Sequence, residues 1–170
     1  MEASASVRPG IQGLADAGRI RWQVLDTKEP SSPMQRLRTY IVEDSQVIRE
    51  NLIATLEELG PVEVVGTAED EATAVTWLGR AGDRVDLVIV DIFLKVGSGL
   101  GVLRAVHGWP GHPHKLVVLS NYATQDMRRK CLALGADRVF DKSHDIDALI
   151  QYCARLANGS SGDSSPGALS

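Results

Sequence analysis

Cysteine is scarce in this chain. Its 170 residues hold two, Cys131 and Cys153, too few for a disulfide framework. Long apolar runs are absent, and nothing approaches the length of a membrane span. Met1 to Gly10 lacks the apolar stretch of a secretory signal. These absences exclude a transmembrane protein and a disulfide-rich secreted one, and the expected location is cytoplasmic. A basic excess is missing too: 18 Lys and Arg face 22 Asp and Glu, a net charge of −4. Direct nucleic-acid binding is therefore not expected, because phosphate recognition draws on surplus Lys and Arg. What remains is ordinary for a globular protein, 44% hydrophobic and 24% charged. The length supports one hydrophobic core plus tails.

Residues 1–35 read as a flexible N-terminal extension. Pro9, Gly10, Gly13, Gly18, Pro30 and Pro33 punctuate it, and Glu29-Pro30-Ser31-Ser32-Pro33 has linker composition. Residues 158–170 read as a disordered tail rich in Gly, Ser and Pro. Between them short apolar runs alternate with helical periodicity. Strands are expected at Leu37–Val42, Val62–Ala68, Val85–Val90, Lys115–Leu119 and Arg138–Phe140. Helices are expected after each: one opening at Ser45 with Ile48, Leu52, Leu56 and Leu59 at helical spacing, then Asp70–Leu78, Leu100–His107, Gln125–Leu134, and a fifth capped by Ser143. The second helix should turn Val75 and Leu78 inward. Five strands alternating with five helices mark an α/β fold with a parallel sheet. The unbroken apolar run Leu87-Val88-Ile89-Val90 suits a strand covered on both faces.

Open parallel sheets bind ligands beyond the carboxyl ends of their strands. There the first strand runs into Glu43-Asp44, the third into Asp91, the fourth into Ser120 and the fifth into Lys142. Asp44, Asp91, Ser120 and Lys142 should meet on one edge, with Glu43 at the rim. Clustered carboxylates repel, so a proton or a cation must relieve them. A hard divalent ion with oxygen ligands suits the set, and Mg2+ fits best. Lys142 and the Ser120 hydroxyl would complete a pocket for a phosphoryl group, with Asp91 as the nucleophile. Taken singly these residues say little: Asp44 could simply favour a helix N-terminus, and Ser120 could be a turn residue.

The ordered set resembles the receiver domain of two-component response regulators over residues 36–157. The matching segments are Val42-Glu43-Asp44-Ser45, Val90-Asp91-Ile92-Phe93-Leu94, Gly97-Ser98-Gly99-Leu100, Val118-Leu119-Ser120, Gly135-Ala136-Asp137 and Phe140-Asp141-Lys142-Ser143. The resemblance implies a flavodoxin-like (βα)5 fold, a doubly wound five-stranded parallel sheet. It implies Asp91 as the phosphoryl acceptor and Mg2+ held by Glu43, Asp44, Asp91 and the Phe93 carbonyl. Ser120 and Lys142 would engage the phosphoryl group. The implied donor is a phosphohistidine on a histidine kinase or a histidine phosphotransfer protein. Phe93 and Tyr122 match positions that influence attack by water, and two bulky aromatics there predict a long-lived phosphoaspartate.

Three positions depart from the family pattern. Val139 stands where an aromatic switch residue is common, Lys95 where a proline is common, and Ser143 where a proline usually follows the lysine. Phe140 neighbours Val139, but strand alternation sends it to the opposite face. Other features have plainer readings. His112-Pro113-His114 lacks the further ligands a zinc site needs and reads as a loop. Arg128-Arg129-Lys130 reads equally as a solvated face or a docking patch. With thirteen residues after Ala157, the expected form is a single-domain regulator. Its output would run through protein–protein contacts with an unidentified target, through a homodimer, or through onward phosphoryl transfer. The alternative is a phosphorylation-independent interaction module that keeps the fold. An aspartate-nucleophile phosphatase is disfavoured, because Phe93 occupies the position where such enzymes carry a second aspartate.

Overall fold

The computed structural model describes residues 35–112 and 114–159. The expected arm and most of the expected tail lie outside the described residues. The element order is β1 (Leu37–Val42), α1 (Gln46–Leu59), β2 (Val62–Ala68), α2 (Glu71–Ala81), β3 (Leu87–Val90), α3 (Gly99–His107), β4 (Lys115–Ser120), α4 (Gln125–Ala133), β5 (Arg138–Asp141) and α5 (Ile146–Ala157). A short 3-10 turn over Gly82–Arg84 joins α2 to β3. All strands are parallel, in the order β2-β1-β3-β4-β5. The chain therefore reverses its direction of travel across the sheet between β1 and β3.

Side-chain alternation builds two cores from one sheet. Leu37 and Ile41, Leu87 and Ile89, Val117 and Leu119, and Phe140 pack against Leu52 and Leu56 of α1 and Leu149, Tyr152 and Cys153 of α5. Tyr40 and Val42, Val88 and Val90, Leu116 and Val118, and Val139 pack against Ala74 and Leu78 of α2, Val102, Leu103 and Val106 of α3 and Cys131 of α4. Fully burying one such aliphatic side chain contributes about 1.5–3 kcal/mol. A one-residue slip would exchange the two faces of a strand at once. Val139 and Phe140 thus belong to different cores. Both cysteines are free and buried. Burial pushes the Cys153 thiol up to about 12, so it stays protonated and packs as a small apolar group.

The helix starts follow from capping. Ser45 Oγ accepts from Ile48 N at 3.3 Å, Asp70 Oδ1 from Thr73 N at 2.8 Å, Ser98 Oγ from Leu100 N at 3.0 Å and Thr124 Oγ1 from Met127 N at 3.2 Å. The fifth helix differs from expectation. Its N-cap position is Asp145, without a side-chain cap bond. The Asp145 carboxylate instead turns back to Asp141 N at 2.9 Å, while Ser143 N donates to Asp141 Oδ1 at 2.7 Å. Periodicity also overstated the inner face of α1. Leu52 and Leu56 are buried, but Ile48 is 39% and Leu59 62% exposed; they stand in the first and last turns of the helix. On α2, Ala74 and Leu78 are buried and Val75 only partly so. Asp86, expected within β3, precedes it and pairs with Arg38 of β1 at 2.9 Å.

Candidate functional site

The turnaround between β1 and β3 opens a crevice at the carboxyl ends of these strands, and the acids stand there. Backbone bonds continue the ladders into the site: Glu43 N donates to Ala68 O and Asp91 N to Val42 O, both at 3.0 Å. One oxygen from each of Glu43, Asp44 and Asp91 lies within 4.8 Å of the others. Among the described residues this is the one group of three or more His, Cys, Asp or Glu side chains placed to share a metal ion. Lys142 arrives from the end of β5. Its Nζ donates to Glu43 Oε1 at 2.6 Å and to Asp91 Oδ2 at 3.3 Å.

The three acids are not equivalent. Glu43, expected at the rim, is buried, with 2% of its surface exposed. One of its oxygens takes Lys142 and the other takes Ser45 N at 3.1 Å. Asp44 is half-buried, and its Oδ2 accepts from Lys95 N at 2.7 Å. Burial pushes the Asp91 carboxyl above its ordinary range; Lys142 opposes this shift and Glu43 adds to it. Burial alone would lower Lys142, but Glu43 and Asp91 outweigh it and hold its proton firmly. One retained positive charge therefore faces three carboxylates. An all-oxygen set with surplus negative charge fits a hard divalent cation such as Mg2+.

Ser120 ends β4, fully buried, with its carbonyl accepting from Lys142 N at 3.1 Å. Its hydroxyl accepts from Tyr122 N at 3.1 Å. Val90 pairs with Val118 across the sheet, which puts Ser120 one residue beyond the level of Asp91. The backbone N–H of Phe93 hydrogen-bonds the Asp91 carboxylate. The Phe93 and Tyr122 rings meet edge to face with centroids 5.0 Å apart. Both are exposed, 51% and 62%, so they form a hydrophobic lip over the loops that flank Asp91.

Two supporting residues escaped the sequence reading. Glu71 Oε1 accepts from Ser98 N at 2.9 Å, and Glu71 N donates to Val96 O at 3.3 Å. The loop from Lys95 to Ser98 is thus gripped by Asp44 on one side and Glu71 on the other. The signal was the glycine spacing. A Cβ on Gly97, whose φ is +82°, would stand 2.5 Å from Glu71 Cβ, and one on Gly101 would stand 2.1 Å from Glu71 Oε2. Gly99 is required for another reason, since a Cβ there would lie 2.1 Å from the Asp91 carbonyl oxygen. The second missed residue is Arg49, whose Nη1 donates to Glu43 O at 2.8 Å. His114 is buried, with Nδ1 3.1 Å from Val85 O, a contact that fixes the approach to β4.

Residues 39–154 match the family model described as the response regulator receiver domain. The chain belongs to the response-regulator receiver family. The receiver is 32% identical over 126 residues to a probable transcriptional regulatory protein of Picosynechococcus, covering 71% of this chain and 49% of that protein. It is 33% identical over 115 residues to a protein-glutamate methylesterase/protein-glutamine glutaminase of Anaeromyxobacter dehalogenans, covering 66% and 31%. It therefore spans about half or less of the length of these relatives. Among solved structures, the signal receiver domain of the putative response regulator NarL from Mycobacterium tuberculosis superposes with a TM-score of 0.65 at 22% identity, covering 74% of this chain and 98% of that one. The response regulator domain of Thermotoga maritima CheB gives 0.64 at 20% identity, covering 73% and 98%. These likenesses establish the flavodoxin-like receiver fold. No helix among the described residues is long and apolar enough to cross a membrane.

Proposed function

We propose that this receiver accepts a phosphoryl group on Asp91 from a phosphohistidine of a histidine kinase or histidine phosphotransfer protein, with Mg2+ bound, and signals by protein–protein contact as a single-domain regulator. The observation that carries the reading is the Glu43, Asp44 and Asp91 cluster closed by the Lys142 ammonium. An Asp91 carboxylate oxygen forms the new bond to phosphorus while the donor's phosphorus–nitrogen bond breaks and its imidazole leaves. Glu43, Asp44, Asp91 and the Phe93 carbonyl would hold the ion, which supplies charge neutralisation for the incoming phosphoryl oxygens. Lys142 pairs with one of those oxygens, and the Ser120 hydroxyl turns from Tyr122 N to donate to another. The transferred group adds about −1.5 to −2 charges, by analogy with other phosphorylations, which biases the loop after Ser120 toward a second arrangement. Val47 and Ile48 at the start of α1, 69% and 39% exposed, offer an apolar landing surface for the donor beside the acids.

The test is incubation with acetyl phosphate and Mg2+, read by intact mass, with Asp91→Ala alongside. A single adduct that needs both Mg2+ and Asp91 is the expected result. A folded, Mg2+-binding protein that takes no phosphoryl group from acetyl phosphate or from any histidine donor would favour the interaction-module reading.

A further inference from the structure

Arg128 does more than the basic run Arg128-Arg129-Lys130 suggested. Arg129 is two-thirds exposed and pairs with Asp126 along its own helix, as a solvated face would. Arg128 turns inward from α4. Its Nε donates to Ala123 O at 3.1 Å and its Nη1 to Val139 O at 2.8 Å, and its Nη2 lies 3.6 Å from Asp145 Oδ2. That same Asp145 oxygen accepts from Asp141 N at 2.9 Å, next to Lys142. One planar fork of donors thus touches both segments that flank the acceptor: the loop leaving Ser120 and the loop that carries Lys142.

The position is notable because Val139, whose carbonyl Arg128 holds, stands where an aromatic switch residue is common. Valine has no ring to swing. We propose that Arg128 is a coupling residue of this receiver, carrying displacement of the Ser120 loop to Asp145 and the start of α5. The inference rests on Asp91 as phosphoryl acceptor and adds the route by which loading is communicated. Turning Ser120 Oγ toward the phosphoryl group loosens its bond with Tyr122 N. The carbonyl of Ala123 then shifts, and the Arg128 fork must shift with it. A rigid guanidinium cannot keep three partners when one moves, so Val139 and Asp145 feel the change.

Hydrogen exchange on the full chain, with and without loading by acetyl phosphate and Mg2+, tests this. Intact mass confirms the adduct. Lys142 answers the phosphoryl group directly, so the readout is the segment beyond it. In the wild type, loading should change exchange at residues 121–133 and at residues 145–149 by about fivefold or more, the low end of typical site-to-site coupling. Arg128→Ala should still load Asp91 and still respond at 121–124, but lose the response at 145–149. Arg128→Lys keeps the charge and the packing stem without the fork, and it should lose the same response while folding normally. If both variants exchange faster in both states yet keep the loading-dependent change at 145–149, Arg128 is only a brace and the inference is wrong. An adduct with no loading-dependent change at 145–149 in the wild type also overturns it. Absence of any adduct in the wild type instead overturns the acceptor reading, and this inference with it.

Discussion

Replacing Lys142 by Met probes the balance of charge at the site. The Met side chain keeps most of the packing of the lysine stem and removes the ammonium. In the native protein the ammonium lies 2.6 Å from Glu43 and 3.3 Å from Asp91, with the three side chains 12%, 3% and 11% exposed. At an effective dielectric of about 20, these attractions are about 6 and about 5 kcal/mol, most of it spent on desolvation. What matters is the remainder. Removing one partner of a buried pair and leaving the other charged costs about 3–5 kcal/mol, a large part of a typical stability of about 5–15 kcal/mol. Urea unfolding without Mg2+ should therefore show a midpoint lower by about 2 M, for a denaturant slope of about 1–3 kcal/mol/M. Adding Mg2+ should reverse part of the loss. A ligand at one hundred times its dissociation constant stabilises by about 2.7 kcal/mol. The gain should be larger in Lys142→Met than in wild type, because no ammonium then competes with the ion for Glu43 and Asp91. A variant within about 0.5 kcal/mol of wild type without Mg2+, the level of an ordinary surface change, would refute the reasoning. So would a deficit of the same size at every Mg2+ concentration.

The aromatic lip predicts slow loss of the phosphoryl group. Phe93→Ala combined with Tyr122→Ala should speed hydrolysis by about tenfold, on the order of 1.4 kcal/mol in barrier, in a phosphate-release assay; an unchanged lifetime would show that the rings do not obstruct water. Asp86 gives a pH-dependent prediction away from the site. Burial raises its carboxyl, but hydrogen bonds from the Arg38 side chain and backbone, and the Arg38 charge, win and hold it below the ordinary range. Its contribution is then present above the unfolded-state value and fades as pH falls through the folded one. Thermal melts should show wild type more stable than Asp86→Asn at neutral pH, with the gap closing below about pH 4. A gap that holds constant down to acid would contradict this.

Much of this protein is local in origin, and local features are legible in a sequence. The five strands announce themselves because a strand covered by helices on both faces has to be apolar at nearly every position. Asp44, Asp91 and Lys142 stand out because each polar group arrives as such a run stops. Alternation also separates Val139 from Phe140 without reference to any partner. What periodicity does not give is the extent of burial: of the four residues at helical spacing on α1, Leu52 and Leu56 are buried while Ile48 and Leu59 stay exposed. Capping propensity misplaced the start of α5, because the carboxylates of Asp141 and Asp145 bind each other's loop rather than the helix.

Tertiary structure decided the pairings between distant segments. Glu43 is buried more deeply than Asp91 and is met there by Lys142, 99 residues away. Glu71 grips Ser98 across 27 residues, and the glycines at 97 and 101 acquire a purpose only once that carboxylate is beside them. Arg128 looked like one member of a basic run until the fold put the Ala123 and Val139 carbonyls within its reach. Which segments are strands and helices, and which polar groups stand at their ends, follow from each segment's own burial and backbone preferences and so can be read along the chain. Which of those groups touch was left to the lateral order of strands and the packing of helices. That is a property of surfaces that meet only when the whole chain has closed.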